Sequence, residues 1–263
     1  MTVAKHGLGP IDMAPSSCHF MPMQRLLPLF FVLLGLPAHA DEVGSSWLKR
    51  IDASARLTDA HLKLTVQATD AKGQQYSREL EIWQKGTERR LVRMMAPARL
   101  KGVGLLVGPG DSLHLFLPSY PPARRVVGSK RSDAFMGTDF AIEDLSRMTF
   151  SDHYEAIVEG TEGPNTRLLL TPVKDSGEAT VRLLVRSTGA PDILTIEHMD
   201  AQGSVTRRLR MEEYRDVGGT RIAHALWVEN LKSGRDNHAQ VTSAEIGTGL
   251  SDQIFTVNHL EHP

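Results

Sequence analysis

Residues 61–83 read HLKLTVQATDAKGQQYSRELEIW, and the two alternating runs in this stretch decide the fold. Leu62, Leu64 and Val66 share one face of the first run. In the second, Leu80 and Ile82 oppose Glu79, Glu81 and Trp83. A period of two marks a half-buried strand. Between the runs, Asp70-Ala71-Lys72-Gly73 puts glycine where a hairpin turn needs a positive φ. The arrangement recurs at Asp200-Ala201-Gln202-Gly203, after which Val205, Leu209 and Met211 alternate with Thr206, Arg208, Arg210 and Glu212. Independent use of a common turn explains the repeat better than a duplicated architecture.

Outward from this hairpin the same pattern continues, at 90–95, 102–107, 113–117, 153–158, 166–171, 180–186, 192–198, 220–230 and 238–246. About eleven strands joined by short Gly/Asp turns, without interposed helices, predict one antiparallel sheet. One face of most strands is apolar and the other carries Arg, Lys, Glu or Thr, so the sheet has a dry side and a wet side. The class is mainly β, with a few helices (α+β). An amphipathic helix is expected over 45–57, with Trp47, Leu48, Ile51 and Ala55 on one face and Ser45 or Ser46 as cap. A second small helix is expected near Asp252–Phe255.

The alternation breaks between Pro118 and Ser151. A Pro-rich bend is followed by a basic run, Arg124, Arg125, Lys130 and Arg131, and then by FMGTDFAIEDLSRMTF at 135–150. Here Asp139 is expected to cap a short helix that turns Phe140, Ile142, Leu145 and Met148 inward and leaves Glu143 and Asp144 exposed. Those acids could pair with Arg124 or Arg125. Two helical pieces are too little cover for so many strands. Either the sheet curls over itself or it encloses a cavity.

The 263 residues balance 30 Lys+Arg against 31 Asp+Glu, which argues against a nucleic-acid partner, since phosphate attraction would want a basic excess. The single cysteine, Cys18, excludes a disulfide framework and a Cys-rich metal site. Arg25, the apolar run Leu26–Leu36 and the Ala38-His39-Ala40 site have the layout of a secretory signal peptide cleaved after Ala40. Its apolar run is shorter than the ~20 residues of a bilayer span. Met21 or Met23 would make a better start than Met1. The expectation is a leader at 1–40 and one periplasmic domain at 41–263.

Chemistry-bearing motifs are scarce. The sequence holds no GxSxG, SxxK, HExxH or GxxxxGK[ST] pattern. His114, His198 and His224 lie within alternating runs, where packing roles are expected. Asp139 and Glu143 stand four residues apart and could share a cation or act as acid and base, although a helix cap beside solvated acids reads them better. No cofactor or metal is expected. Met94, Met136, Met148 and Met211 suit a surface that fits flexible apolar chains, and equally suit core gap-filling.

The order of Ala96-Pro97, Lys101-Gly102, LHLFLPSYPP at 113–122, Arg124-Arg125-Val126 and FMGTDFAIEDL at 135–145 resembles the outer-membrane lipoprotein-sorting family, in the LolA/LolB-like superfamily of periplasmic lipoprotein carriers. The likeness runs over the whole chain after the leader, and FMGTDF…EDL is its most specific part. It implies a strongly curved, half-open antiparallel β-barrel with short helices as a lid. It also implies acyl chains of lipoproteins or other lipids in the hollow, and an inner-membrane exporter as a partner. The expected cavity and lid residues are Met94, Leu105, Leu115, Phe135, Met136, Phe140, Leu145, Met148, Leu209 and Met211, in a lid that opens at low cost. The basic run Arg124, Arg125, Lys130 and Arg131 is expected to meet a partner, and the chain is expected to be a monomer. Two other readings stand beside the carrier: a sensor or accessory module of an envelope complex, and a hydrolase using Asp139 and Glu143.

Overall fold

The computed structural model describes residues 42–69, 72–173 and 178–263. The leader expected at 1–40 and the first half of the Asp70–Gly73 turn lie outside the described residues. The chain opens with helix α1 (Glu42–Ser54). It continues through β1 (Leu57–Thr69), β2 (Gln75–Gly86), β3 (Arg89–Ala96), β4 (Gly104–Gly108), β5 (Ser112–Phe116) and β6 (Arg124–Arg125). Helix α2 (Ile142–Ser146) precedes β7 (Tyr154–Glu162), β8 (Asn165–Pro172), β9 (Val181–Arg186) and β10 (Ile193–Met199). The long strands β11 (Val205–Val217), β12 (Thr220–Asn230) and β13 (Arg235–Ile246) lead to the short C-terminal helix α3 (Val257–Glu261).

Every ladder is antiparallel, in the order β6-β5-β4-β3-β2-β1-β13-β12-β11-β10-β9-β8-β7. The β1–β13 pairing joins the two halves of the chain. The sheet curves without closing, with β6 and β7 as its free edges. Among the described residues there are thirteen strands where about eleven are expected. The added edge strand is the basic pair Arg124–Arg125, whose two residues are too few for alternation to register.

Helix α1 starts and ends three residues earlier than expected. Ser45 and Ser46 therefore lie inside it and do not cap it, and Leu57 already belongs to β1. Its buried face is Gly44, Leu48 and Ile51. Gly44 lies so close to edge strand β7 that a Cβ there would collide with the Ala156 carbonyl, so glycine sets this helix–strand approach.

Inward positions follow the alternation in β1 (Leu62, Leu64, Val66), β2 (Leu80, Ile82), β11 (Leu209, Met211) and β13 (Ala239, Val241). Strands β3 to β5 depart from the wet-and-dry scheme. Val92, Met94 and Leu105 join the main core, while Leu91, Leu106 and Phe116 pack with Phe255 and Leu260 in a second cluster on the other face. The C-terminal 3-10 turn and α3 dry this outer patch. At five residues α3 is too short to announce itself by periodicity, although a turn of helix at Asp252–Phe255 is present as expected.

Candidate functional site: a latched apolar hollow

Under the concave face lies a cavity of about 330 Å³. Its walls are the inward rows of β1, β2 and β3 on one side and of β10 to β13 on the other. Ile51 of α1 and the segment 135–150 close it over. Ser54, Ala55 and Arg221 are its exposed lining residues, so it opens beside the end of α1 and the β11–β12 turn. Toward the opposite end lie Val66, Leu80, Phe135 and Leu209.

Seven of the expected residues line this space: Met94, Phe135, Phe140, Leu145, Met148, Leu209 and Met211. Three do not. Leu105 is fully buried in the core on β4, Leu115 packs against that core from β5, and Met136 sits at the tip of the lid. Leu105 and Leu115 are separated from the hollow because β4 and β5 lie beyond β3 in the sheet.

The lid is a small hairpin followed by α2. Ala134 bridges Ala141, Phe135 N donates to Phe140 O at 2.8 Å, and Thr138 N donates to Phe135 O at 3.1 Å. Both central turn residues, Met136 and Gly137, have positive φ (50° and 80°), as a type I′ turn requires. The Tyr76 hydroxyl donates to the Gly137 carbonyl from the β2 side.

Asp139 is not the helix cap. Ala141 takes that position, and its N–H donates to the Asp144 carboxylate at 2.7 Å. Asp139 is instead buried and reaches the β12–β13 hairpin. It accepts from Asn230 Nδ2 (3.0 Å), Arg235 Nη2 (2.7 Å) and Asn237 Nδ2 (2.9 Å), and its own N–H donates to Asn237 Oδ1 at 2.7 Å.

Glu143 and Asp144 are not solvated and do not pair with Arg124 or Arg125. Their side chains are only 9% and 6% exposed, and both are bound by Arg207 of β11, at 2.9 Å to Glu143 and 2.7 Å to Asp144. His198 of β10 completes the group, 3.4 Å from Glu143 and 3.5 Å from Asp144. Burial alone would raise the Asp144 carboxyl, but the Arg207 guanidinium, His198 and the Ala141 amide outweigh it and hold Asp144 below the usual carboxylate range. Glu143, Asp144 and His198 have metal-ligand spacing. The Arg207 guanidinium already supplies their cation, so no metal is assigned to them.

A third contact holds the far end of α2. Arg90 of β3 donates through Nη1 to the carbonyls of Leu145 (2.8 Å) and Arg147 (3.1 Å), and through Nε to Gln84 Oε1 (3.0 Å). Arg147 in turn pairs with Glu178 at 3.2 Å. Burial pushes Glu178 up, but His153 and Arg147 together hold it at about 2. The segment is thus held by polar groups at three places as well as by apolar contact, and displacing it would break bonds that its apolar area does not count.

With Asp139 bound to β12–β13 and Glu143 to Arg207, neither carboxylate is placed to share a cation or a substrate with the other. In the basic run, Arg124 and Arg125 are exposed on β6, whereas Lys130 pairs with Asp133 (3.4 Å) and Arg131 with Asp111 (2.7 Å).

The open antiparallel sheet curved around an apolar hollow is a fold shared with several solved structures. A putative outer membrane lipoprotein-sorting protein domain from Vibrio parahaemolyticus superposes with TM-score 0.74 at 19% identity, over 84% of this chain and 99% of that one. A DUF1329 family protein from Desulfovibrio piger gives 0.74 at 20% identity, over 83% and 98%. A LolA superfamily protein from Nitrosomonas europaea gives 0.68 at 20%, over 82% and 98%. Residues 86–262 match the model of a family described as an uncharacterized protein, and the chain belongs to that family. No curated protein sequence matches it.

Proposed function

We propose that this protein is a non-enzymatic periplasmic carrier that takes acyl chains of a lipid or lipoprotein into the hollow, on their way toward the outer membrane. The observation that carries this reading is the 330 Å³ space itself, walled largely by leucine, isoleucine, methionine and phenylalanine side chains. Burial is worth about 0.8 kcal/mol per methylene, so a sixteen-carbon chain gains about 12 kcal/mol on leaving water. A space at the small end of the ~300–1,000 Å³ typical of ligand pockets suits one chain, and bulkier cargo requires the lid to move. The export signal read in residues 21–40 supports the compartment, and the description of the Vibrio relative as a lipoprotein-sorting domain supports the cargo class. Contact with a membrane exporter is assigned to exposed Arg124 and Arg125.

The test is displacement of a fluorescent fatty acid from the purified protein and from Met211→Trp and Leu226→Trp, which fill the hollow from β11 and β12. Saturable binding by the wild type, weakened tenfold or more in both variants, is expected. Absence of binding by the folded wild type, or equal binding by the filled variants, contradicts the proposal.

A further inference from the structure

We infer that Arg90 is a head-group site, which takes the carboxylate of a single-chain fatty acid whose tail lies along the hollow. The inference rests on the acyl-carrier reading and adds a charge requirement to it.

Asp52 is bound by the amides of Phe150 (2.7 Å) and Ser151 (2.9 Å). Asp144 is paired with Arg207, Arg147 with Glu178, and Asp192 with both Arg186 and Arg221. Arg90 differs from the other lining cations, Arg147 and Arg221, in having no carboxylate partner. Among the described residues no carboxylate lies within ion-pair distance of it, and its acceptors are the neutral oxygens of Gln84, Leu145 and Arg147. A guanidinium has five N–H donors, and the four bonds to these oxygens leave one Nη2 hydrogen uncommitted. Desolvation lowers its pKa to about 10, so the group stays charged at neutral pH.

A cation with no counter-ion in an apolar hollow is costly, and a carboxylate that enters with the cargo offsets that cost through a charge-assisted hydrogen bond from the free Nη2 hydrogen. Placement agrees with the chemistry. Arg90 is opposite Gln84, which is opposite Ala60, near the Leu57 end of β1 and hence near the mouth. From there Ile82, Leu64, Leu80 and Val66 lead inward to Phe135, a track for the tail with no unpaired charge along it.

The experiment measures affinities of the full-length mature protein for palmitate, hexadecanol and methyl palmitate at neutral pH, in the wild type, Arg90→Gln and Arg90→Lys. Hydrogen bonds to a charged partner predict that the wild type holds palmitate about tenfold to hundredfold more tightly than hexadecanol. In Arg90→Gln the ratio collapses to about one, and Arg90→Lys keeps part of it. Loss of a purely lid-holding role would weaken all three ligands together and leave the ratio unchanged, which overturns the inference. Should Arg90→Gln fail to fold, the wild-type ratio decides alone. Equal wild-type binding of acid, alcohol and ester overturns the Arg90 site and leaves the acyl-carrier reading standing, whereas no binding of any of the three removes both.

Discussion

Replacing Arg207 by methionine is expected to destabilise the protein by about 3–5 kcal/mol, because two carboxylates then stay buried with no cation between them. The side chains concerned are all largely shielded: Arg207 is 14% exposed, Glu143 9% and Asp144 6%. His198 remains within 3.5 Å and offsets only part of the loss. The loss is a large share of the ~5–15 kcal/mol by which native proteins are stable. Its pH dependence follows from Asp144. The folded pKa of that carboxyl lies below its unfolded value, so the pairing stabilises the wild type at every pH above about 4, and this contribution is lost as the pH falls through the folded value. In the variant, burial acts without the guanidinium to oppose it, and protonation relieves the strain. Urea denaturation of both proteins should therefore differ most at neutral pH and converge below about pH 4. Adding Glu143→Gln and Asp144→Asn to Arg207→Met should restore much of the loss at neutral pH. A neutral-pH difference under about 1 kcal/mol would show that the lid is not held here.

A second large effect is expected at Asp139. Its carboxylate gathers Asn230, Arg235 and Asn237, and alanine would leave these donors without their acceptor, at about 2–4 kcal/mol. The damage should be local to the lid, since Asp139 ties the tip hairpin to the β12–β13 turn and contributes nothing to the β1–β2 ladder. Hydrogen exchange reads this directly. The amides of Phe135, Thr138 and Ile142, bonded within the segment at 2.8, 3.1 and 3.0 Å, should lose protection in Asp139→Ala. Amides of β1 and β2 should keep theirs. Unchanged lid amides in the folded variant would separate Asp139 from lid closure.

The architecture was legible because alternation reports burial wherever one face is wet. Leu62, Leu64 and Val66, Leu80 and Ile82, and Leu209 and Met211 all face inward as their spacing implies. The latches were not legible, because apolar patterning passes over polar residues on the apolar side. Arg207 shares the parity of Leu209 and Met211, Asn237 that of Ala239 and Val241, Arg90 that of Val92 and Met94, and His198 that of Ile196. A charged or amide side chain on the dry parity of a strand needs a buried partner, and that was the available signal. It names the wall side of each latch. The lid side could not be found in this way, since whether Asp139 caps its own helix or reaches a hairpin 91 to 98 residues away depends on the closed sheet. The two-residue strand β6 and the five-residue helix α3 were missed because neither is long enough to show a period.

The polar latches also bear on what a carrier with this lid must do. On the proposed carrier function, acyl burial of about 0.8 kcal/mol per methylene would have to be balanced against freeing α2 from Arg90 and Arg207, so the release step would depend on the polar contacts as well as on the apolar walls. Lipid exchange should then respond more to these buried polar contacts than to truncation of a single wall residue.

The most direct measurement is mass spectrometry of organic extracts from the mature protein purified under native conditions, beside Met211→Trp purified identically. A hollow that carries acyl chains should yield a stoichiometric single-chain lipid from the wild type and a strongly reduced amount from the filled variant. Wild-type protein that is folded, free of lipid and unable to take up added fatty acid would contradict the account.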